Sequence, residues 1–183
     1  LIAAAVAGGV DNFIFSSTAA VYGSPEAVPV TEAAPKTPES PYGASKLMTE
    51  RMLEDVGAAH AMRYAILRYF NVAGADPDGR TGQSTRGATH LIKVACETAL
   101  GKRDGMKVYG TDYPTRDGTC VRDYIHVVDL AAAHLAALDY LAAGGASGAF
   151  NLGTGEGHSV AEVVETCRRV TGRPIPVVDA PRR

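Results

Sequence analysis

The alternation of short apolar runs with stretches of helical periodicity is what most narrows the folds open to this chain. Residues 10–16 (VDNFIFS) and 64–72 are apolar runs bounded by glycines, hydroxyls or loops, the pattern of strands buried in a parallel sheet. Between them, after a proline-studded loop at 25–41, Leu47, Met48, Met52, Leu53 and Val56 recur at helical spacing. That predicts a helix over 42–56, with Gly57 as its stop. The pattern then repeats. A helix is expected over 90–100, short strands over 106–109 and 121–125, an alanine-rich helix over 128–143 and a strand over 149–152. Ser159-Val160-Ala161-Glu162 has the form of a capping box, in which hydroxyl and carboxylate satisfy free amides at a helix start. Its helix runs to about Thr171, Gly172 caps it, and a last strand covers 176–178. Strands and helices alternating at this spacing predict an α/β fold with a parallel sheet.

Composition removes several function classes. The formal net charge of −2 comes without any Lys/Arg block, so neither nucleic acid nor an anionic membrane has an electrostatic handle. The longest apolar stretch, 130–143, contains His134 and Asp139 and is too short and polar to span a bilayer. Cys96, Cys120 and Cys167 are widely spaced with no CxxC pair, which suits a reducing cytoplasm and argues against a disulfide framework or a zinc site. His60, His126, His134 and His158 form no HxH or HExxH group, and no GxSxG occurs, so metal and serine-hydrolase chemistry lack support.

The strongest local signal is Tyr42-Gly43-Ala44-Ser45-Lys46. Four residues apart on a helix, phenol and ammonium share a face one turn apart. An ammonium there stabilises phenolate and makes the tyrosine a candidate acid or base toward a hydroxyl. The same spacing also occurs in plain surface helices, so the motif alone leaves both readings open. Ser16-Ser17-Thr18 adds hydroxyls at the end of a strand, where open α/β sheets bind ligands. Gly153-Thr154-Gly155-Glu156-Gly157 suggests a phosphate loop, but its spacing is not GxGxxG and a tight turn is the plainer reading. Arg122 is either a ligand-binding cation or the ion-pair partner of Asp123, and Asp129 suits a helix start.

Longer segments carry a resemblance. FSSTAAVYG (15–23), SPYGASKLMTE (40–50), LRYFNVAGA (67–75), NLGTGEGHSV (151–160) and the terminal APRR resemble the extended, sugar-nucleotide branch of the short-chain dehydrogenase/reductase superfamily. VYGTDYPTRDGTCVRDYIHVVDLA (108–131) narrows the resemblance to the UDP-glucose 4-epimerase family. The resemblance implies a partial doubly wound, Rossmann-like parallel sheet with a smaller substrate-binding α/β part toward the C-terminus. Residues 1–75 then belong to an NAD-binding domain and 76–183 mostly to the substrate region, returning to the Rossmann sheet around 121–152. It implies Tyr42 as catalytic base, Lys46 on the nicotinamide ribose, and Thr18 as the hydroxyl bridging the sugar and Tyr42. Phe70 is implied near the nicotinamide. Asn71, His90, Leu91, Tyr109, Arg122 and Arg183 are implied around the UDP moiety, with Tyr109 on uracil and the two arginines on the diphosphate.

The reaction so implied interconverts UDP-glucose and UDP-galactose by transient oxidation at C4 with bound NAD, in a cytoplasmic homodimer. The family's glycine-rich dinucleotide fingerprint lies upstream of the position matching Leu1. The chain is therefore expected to be an internal piece that by itself neither folds well nor holds NAD. Two other readings compete. A related nucleotide-sugar dehydratase or decarboxylase needs acidic residues near Thr18, where this sequence has Ala19 and Ala20. The other is a non-catalytic nucleotide-sugar binder.

Overall fold

The computed structural model describes residues 1–182. After helix α1 (Ile2–Ala7), strand β1 (Asn12–Thr18) leads through a 3-10 turn (Ala19–Tyr22) and a long loop to helix α2 (Pro41–Ala59). Strands β2 (Arg63–Tyr69) and β3 (Asn71–Ala73) follow, then α3 (Leu91–Ala99), β4 (Met106–Tyr109), β5 (Val121–His126) and α4 (Val127–Ala142). The chain continues through β6 (Gly148–Leu152), β7 (Gly157–Ser159), α5 (Val160–Thr171) and β8 (Val177–Ala180). The main sheet is parallel, in the order β1-β2-β6, and helices cover both of its faces. The expected α/β architecture is therefore observed.

Strand alternation explains the two faces. Phe13, Phe15, Tyr64, Ile66 and Ala149 pack with Leu53 and Val56 of α2 and with Ile2, Ala5 and Val6 of α1. The intervening residues Ile14, Ala65, Leu67, Phe150 and Leu152 pack with Ala137 and Leu141 of α4. Every second side chain serves the opposite layer, as the pleat requires. A separate core joins Ala95 and Ala99 of α3, Met106 of β4 and Val164 of α5 around Ile175. Beside it β4 pairs in parallel with β8, while β3-β5-β7 make a third small sheet in which β7 runs antiparallel.

Three expectations change. The run 64–72 is two strands: after the Phe70 amide bonds to the Leu152 carbonyl (3.1 Å), the chain leaves β6 and pairs Asn71 with Tyr124 of β5. An apolar run records burial, not which strand lies alongside. Gly57 does not stop its helix, which continues to Ala59. A Cβ on Gly57 would lie 2.6 Å from the Tyr64 ring, so the glycine makes room for that ring. Strand β7 falls on residues expected to form only a turn and a helix start.

The capping box on α5 forms in full. Ser159 Oγ accepts from the Glu162 amide (3.1 Å), and Glu162 Oε2 accepts from the Ser159 amide (2.9 Å). Ser159, fully buried, also donates its hydroxyl to Asp117. That hydroxyl, followed by the Thr119 amide and hydroxyl, holds the Asp117 carboxyl below the usual carboxylate range. In the full-length protein, Ser159→Ala is expected to cost about 1–2 kcal/mol in urea denaturation. Stabilisation through Asp117 is complete above its unfolded-state pKa of about 3.9 and is lost as pH falls through the lower folded-state value. The difference between wild type and Ser159→Ala should therefore narrow in that acid window.

Candidate active site

Thr18, Tyr69 and Leu152 close their three strands in register, so the C-terminal edge of the sheet is a straight rim. Thr18 is nearly buried, and its Oγ1 accepts from the Ala20 amide (3.2 Å), capping the 3-10 turn while leaving the hydroxyl proton to donate elsewhere. Helix α2 starts over this rim: Ser40 caps it by accepting from the Gly43 amide (3.1 Å), and Pro41 occupies its first turn. Gly43 is buried, and a Cβ there would lie 2.6 Å from the Ala20 carbonyl oxygen. The missing side chain lets the helix start sit directly on the 3-10 turn.

From that start Tyr42 and Lys46 project one turn apart. Tyr42 is 53% exposed, and the Lys46 ammonium lies 5.9 Å from its ring centroid and 5.0 Å from that of Phe15. Lys46 Nζ donates to the Ser16 carbonyl (2.9 Å), which fixes the ammonium at the strand end and leaves two N–H groups for a ligand. Burial, followed by the nearby Tyr42, raises the Tyr69 phenol above its ordinary value, and the Ser16 hydroxyl partly offsets this.

The other candidates lie on separate elements. Phe70 is half-buried where β2 hands over to β3, and a Cβ on Gly153 would meet it at 2.9 Å. Asn71 opens β3 and donates to the Asp123 carbonyl (3.1 Å). His90 precedes α3 and its ring nitrogen pairs with Gln83 (2.7 Å), whereas Leu91 packs into the core between α3 and α5. Tyr109 ends β4, opposite Ala180. Arg122 is exposed on β5, with a hydrogen bond to its own neighbour's carbonyl, Val121 (3.0 Å). Arg183 lies outside the described residues.

The Arg122–Asp123 ion pair is not formed. Asp123 instead accepts from the Thr154 amide (2.9 Å) and hydroxyl (2.9 Å) and from the Gly155 amide (2.8 Å). Adjacent residues of a strand face opposite ways, which keeps Arg122 from its neighbour's carboxylate. The same bonds answer the phosphate-loop question. Amides that could cradle a phosphate are already taken by a carboxylate of the chain itself, so 153–157 is a turn. Among the described residues no group of three His, Cys, Asp or Glu side chains could hold a metal ion.

Sequence reasoning missed a buried polar layer directly behind Tyr42 and Lys46. Arg68 and Glu50, each 1% exposed, form a forked ion pair, Nη2 to Oε2 at 2.7 Å and Nε to Oε1 at 3.1 Å. Ser17 donates to the same carboxylate. Burial alone would lower the Arg68 pKa, but hydrogen bonds to Glu50 and Tyr22 outweigh it and hold the guanidinium above its ordinary value. The available signal was a lone cation in the apolar run Ala65-Ile66-Leu67-Arg68-Tyr69-Phe70, which demands a buried partner.

With this geometry in view, comparison with known proteins is decisive. Residues 1–153 match the NAD dependent epimerase/dehydratase family. The chain belongs to that family. It is 61% identical over all its 183 residues to a UDP-glucose 4-epimerase of Azospirillum brasilense, and 52% identical to one of Rhizobium meliloti. It spans about half the length of these relatives, 53% and 56%. The crystal structure of UDP-glucose 4-epimerase from Brucella ovis in complex with NAD superposes on the whole chain at a TM-score of 0.96, with 48% identity, over 56% of its own length. The Bifidobacterium longum enzyme in complex with NAD+ and UDP does so at 0.93, with 43% identity, over 55% of its length.

Asp123→Asn in the full-length protein should release the 153–157 turn, because an amide presents only one acceptor oxygen to three donors. Hydrogen exchange at Thr154 and Gly155 is expected to quicken about tenfold or more, the equivalent of about 1.4 kcal/mol of lost protection. Unchanged exchange at both amides would remove Asp123 from this role.

Proposed function

We propose that the protein to which this chain belongs is a UDP-glucose 4-epimerase, interconverting UDP-glucose and UDP-galactose with NAD as resident cofactor. The observation that carries this reading is the half-exposed Tyr42 beside a Lys46 ammonium tied to the sheet rim. The residues fit the cofactor. Two remaining Lys46 N–H groups suit a vicinal ribose diol, and the half-buried Phe70 ring, opposite a glycine, offers a flat apolar neighbour to a nicotinamide.

When bound, NAD accepts a hydride from sugar C4 and returns it to the opposite face. The chain's own residues manage the proton and the orientation. Tyr42 takes the proton of the 4-hydroxyl as the C4–O bond becomes a carbonyl and gives it back once the 4-keto sugar has turned. Thr18 uses its remaining hydroxyl proton to bridge the sugar oxygen and Tyr42. Lys46 holds the ribose side. Asn71, His90 and the backbone of Leu91, whose side chain packs in the core, line the UDP side, Tyr109 stacks on uracil, and Arg122 and Arg183 neutralise the diphosphate with charge-assisted bonds. In this division residues 1–75 serve the cofactor and 76–183 mostly the substrate; of the expected return over 121–152, α4 packs on the main sheet and β6 pairs in it, whereas β5 pairs with β3 and β7 instead. The apolar 3-10 turn with Ala19 and Ala20 offers no carboxylate for the lyase alternative.

The same reading includes a cytoplasmic homodimer with no nucleic-acid or membrane partner. Three free thiols suit a reducing compartment, and no helix among the described residues is long and apolar enough to cross a membrane. A groove between α1 and α2 is lined by Ile2, Val6, Met52 and Val56, and Met48 and Met52 are 66% and 50% exposed. That strip suits helix packing against a second copy.

Tyr42→Phe in the full-length protein should reduce turnover of UDP-glucose by about 10²–10⁴-fold with UDP affinity unchanged in calorimetry; near-normal turnover would sink the assignment. Met52→Glu should shift the full-length protein from dimer to monomer in light scattering. A variant that stays dimeric at low micromolar concentration would place the interface elsewhere.

A further inference from the structure

Ser17, Arg68 and Asn151 stand side by side across β1, β2 and β6, on the face that α2 covers. One rung earlier that face carries Phe15, Ile66 and Ala149. The sheet–helix layer thus turns from apolar to polar within a single rung, and α2 answers with Glu50. The network is closed: Arg68 Nη1 donates to the Tyr22 hydroxyl (2.8 Å), which donates to Asn151 Oδ1 (2.7 Å), while Ser17 and the Arg68 fork fill the Glu50 carboxylate.

Stability alone does not account for an ion pair here. Two charges removed from water lose more hydration than their attraction restores, and apolar side chains of the same size fill such a space as well. A fork between guanidinium and carboxylate has something apolar packing lacks, which is a single preferred geometry. Tyr42, Lys46 and Glu50 follow one another at successive turns on one side of α2. Lys46 is tied to the carbonyl of Ser16 and Glu50 to the hydroxyl of Ser17, so consecutive turns of the helix grip consecutive residues of the strand. The close seat of Gly43 on Ala20 blocks further movement toward the sheet.

We propose that Glu50, clasped by Arg68, is a positioning residue that sets the rise and rotation of α2 against β1 and so places the Tyr42 phenol and the Lys46 ammonium over the sheet rim. This rests on the reading of Tyr42 and Lys46 given above. Glu50 is buried with its carboxylate filled by Ser17 and Arg68, so it acts through the helix.

The test replaces the charged cluster by apolar groups of similar size, Ser17→Ala, Glu50→Leu and Arg68→Met together, in the full-length protein. No buried charge is then left unpaired, and the variant is expected to stay folded, its thermal midpoint lowered only by the lost bonds to Tyr22 and Glu32. With UDP-glucose, kcat should fall about tenfold or more while KM changes by less than about twofold, because orientation is lost and binding is not. Hydrogen exchange over residues 42–46 should quicken, with α5 unaffected. A folded triple variant with wild-type kcat and wild-type exchange over 42–46 would overturn the proposal. Arg68→Lys, which keeps the charge and loses the fork, provides the second arm: the same fall in kcat at constant KM is expected, and a wild-type kcat overturns the proposal even where the triple variant fails to fold. Wild-type turnover of UDP-glucose tests the functional reading by itself. The exchange of residues 42–46 tests the positioning role even in a protein that turns over a different sugar nucleotide.

Discussion

A guanidinium in the middle of a buried strand has to be answered from every side, and the architecture around the sheet rim is largely that answer. Arg68 draws Glu50 from α2, the Tyr22 hydroxyl from the 3-10 turn and the carbonyl of Glu32 (3.3 Å) from the long loop. Its neighbour in the sheet, Asn151, holds the same loop twice, donating its side-chain amide to the Val30 carbonyl (3.1 Å) and its backbone N–H to the Glu32 carboxylate (2.8 Å). A loop rich in proline and lacking regular structure is thereby fastened to a sheet by polar bonds. Remove the cation, and helix, turn and loop lose their common point of attachment. The cost of leaving such partners unpaired in a low-dielectric interior is what makes the arrangement specific.

Ser16 and Ser17 show how one dipeptide serves two layers. Ser17 faces α2 and Glu50, while the Ser16 hydroxyl faces α4 and meets His134 Nε2 at 2.9 Å. The other ring nitrogen of His134 lies 2.8 Å from the Leu130 carbonyl, an acceptor only. That contact assigns a proton to Nδ1. Meanwhile the Ser16 carbonyl holds Lys46. The end of β1 is therefore pinned from above, from below and along its backbone.

What the sequence made legible was local. Helix starts carry their signals within four residues, so the capping box at Ser159 and the turn from Tyr42 to Lys46 were readable directly. The order of strands and helices followed from hydrophobic period. Partnership across the sheet was not readable, because the apolar run through Phe70 looks the same whether its two ends pair with one neighbour or two. Gly57 looked like a stop because the ring it accommodates, that of Tyr64, belongs to the next strand. The polar layer behind the site joins residues as far apart as Ser17 and Asn151, and only the isolated cation at 68 hinted at it. The candidate ligand contacts rested on long motif segments rather than on chemistry visible residue by residue.

The pleat of β5 separates two opposite charges. Asp123 turns toward the 153–157 turn and spends its carboxylate on three donors there, whereas Arg122, one residue earlier, faces the other way and is exposed. The strand is thus electrically polarised across its own thickness, negative on one side and positive on the other. An anion approaching this strand is therefore repelled on the Asp123 side and attracted on the Arg122 side.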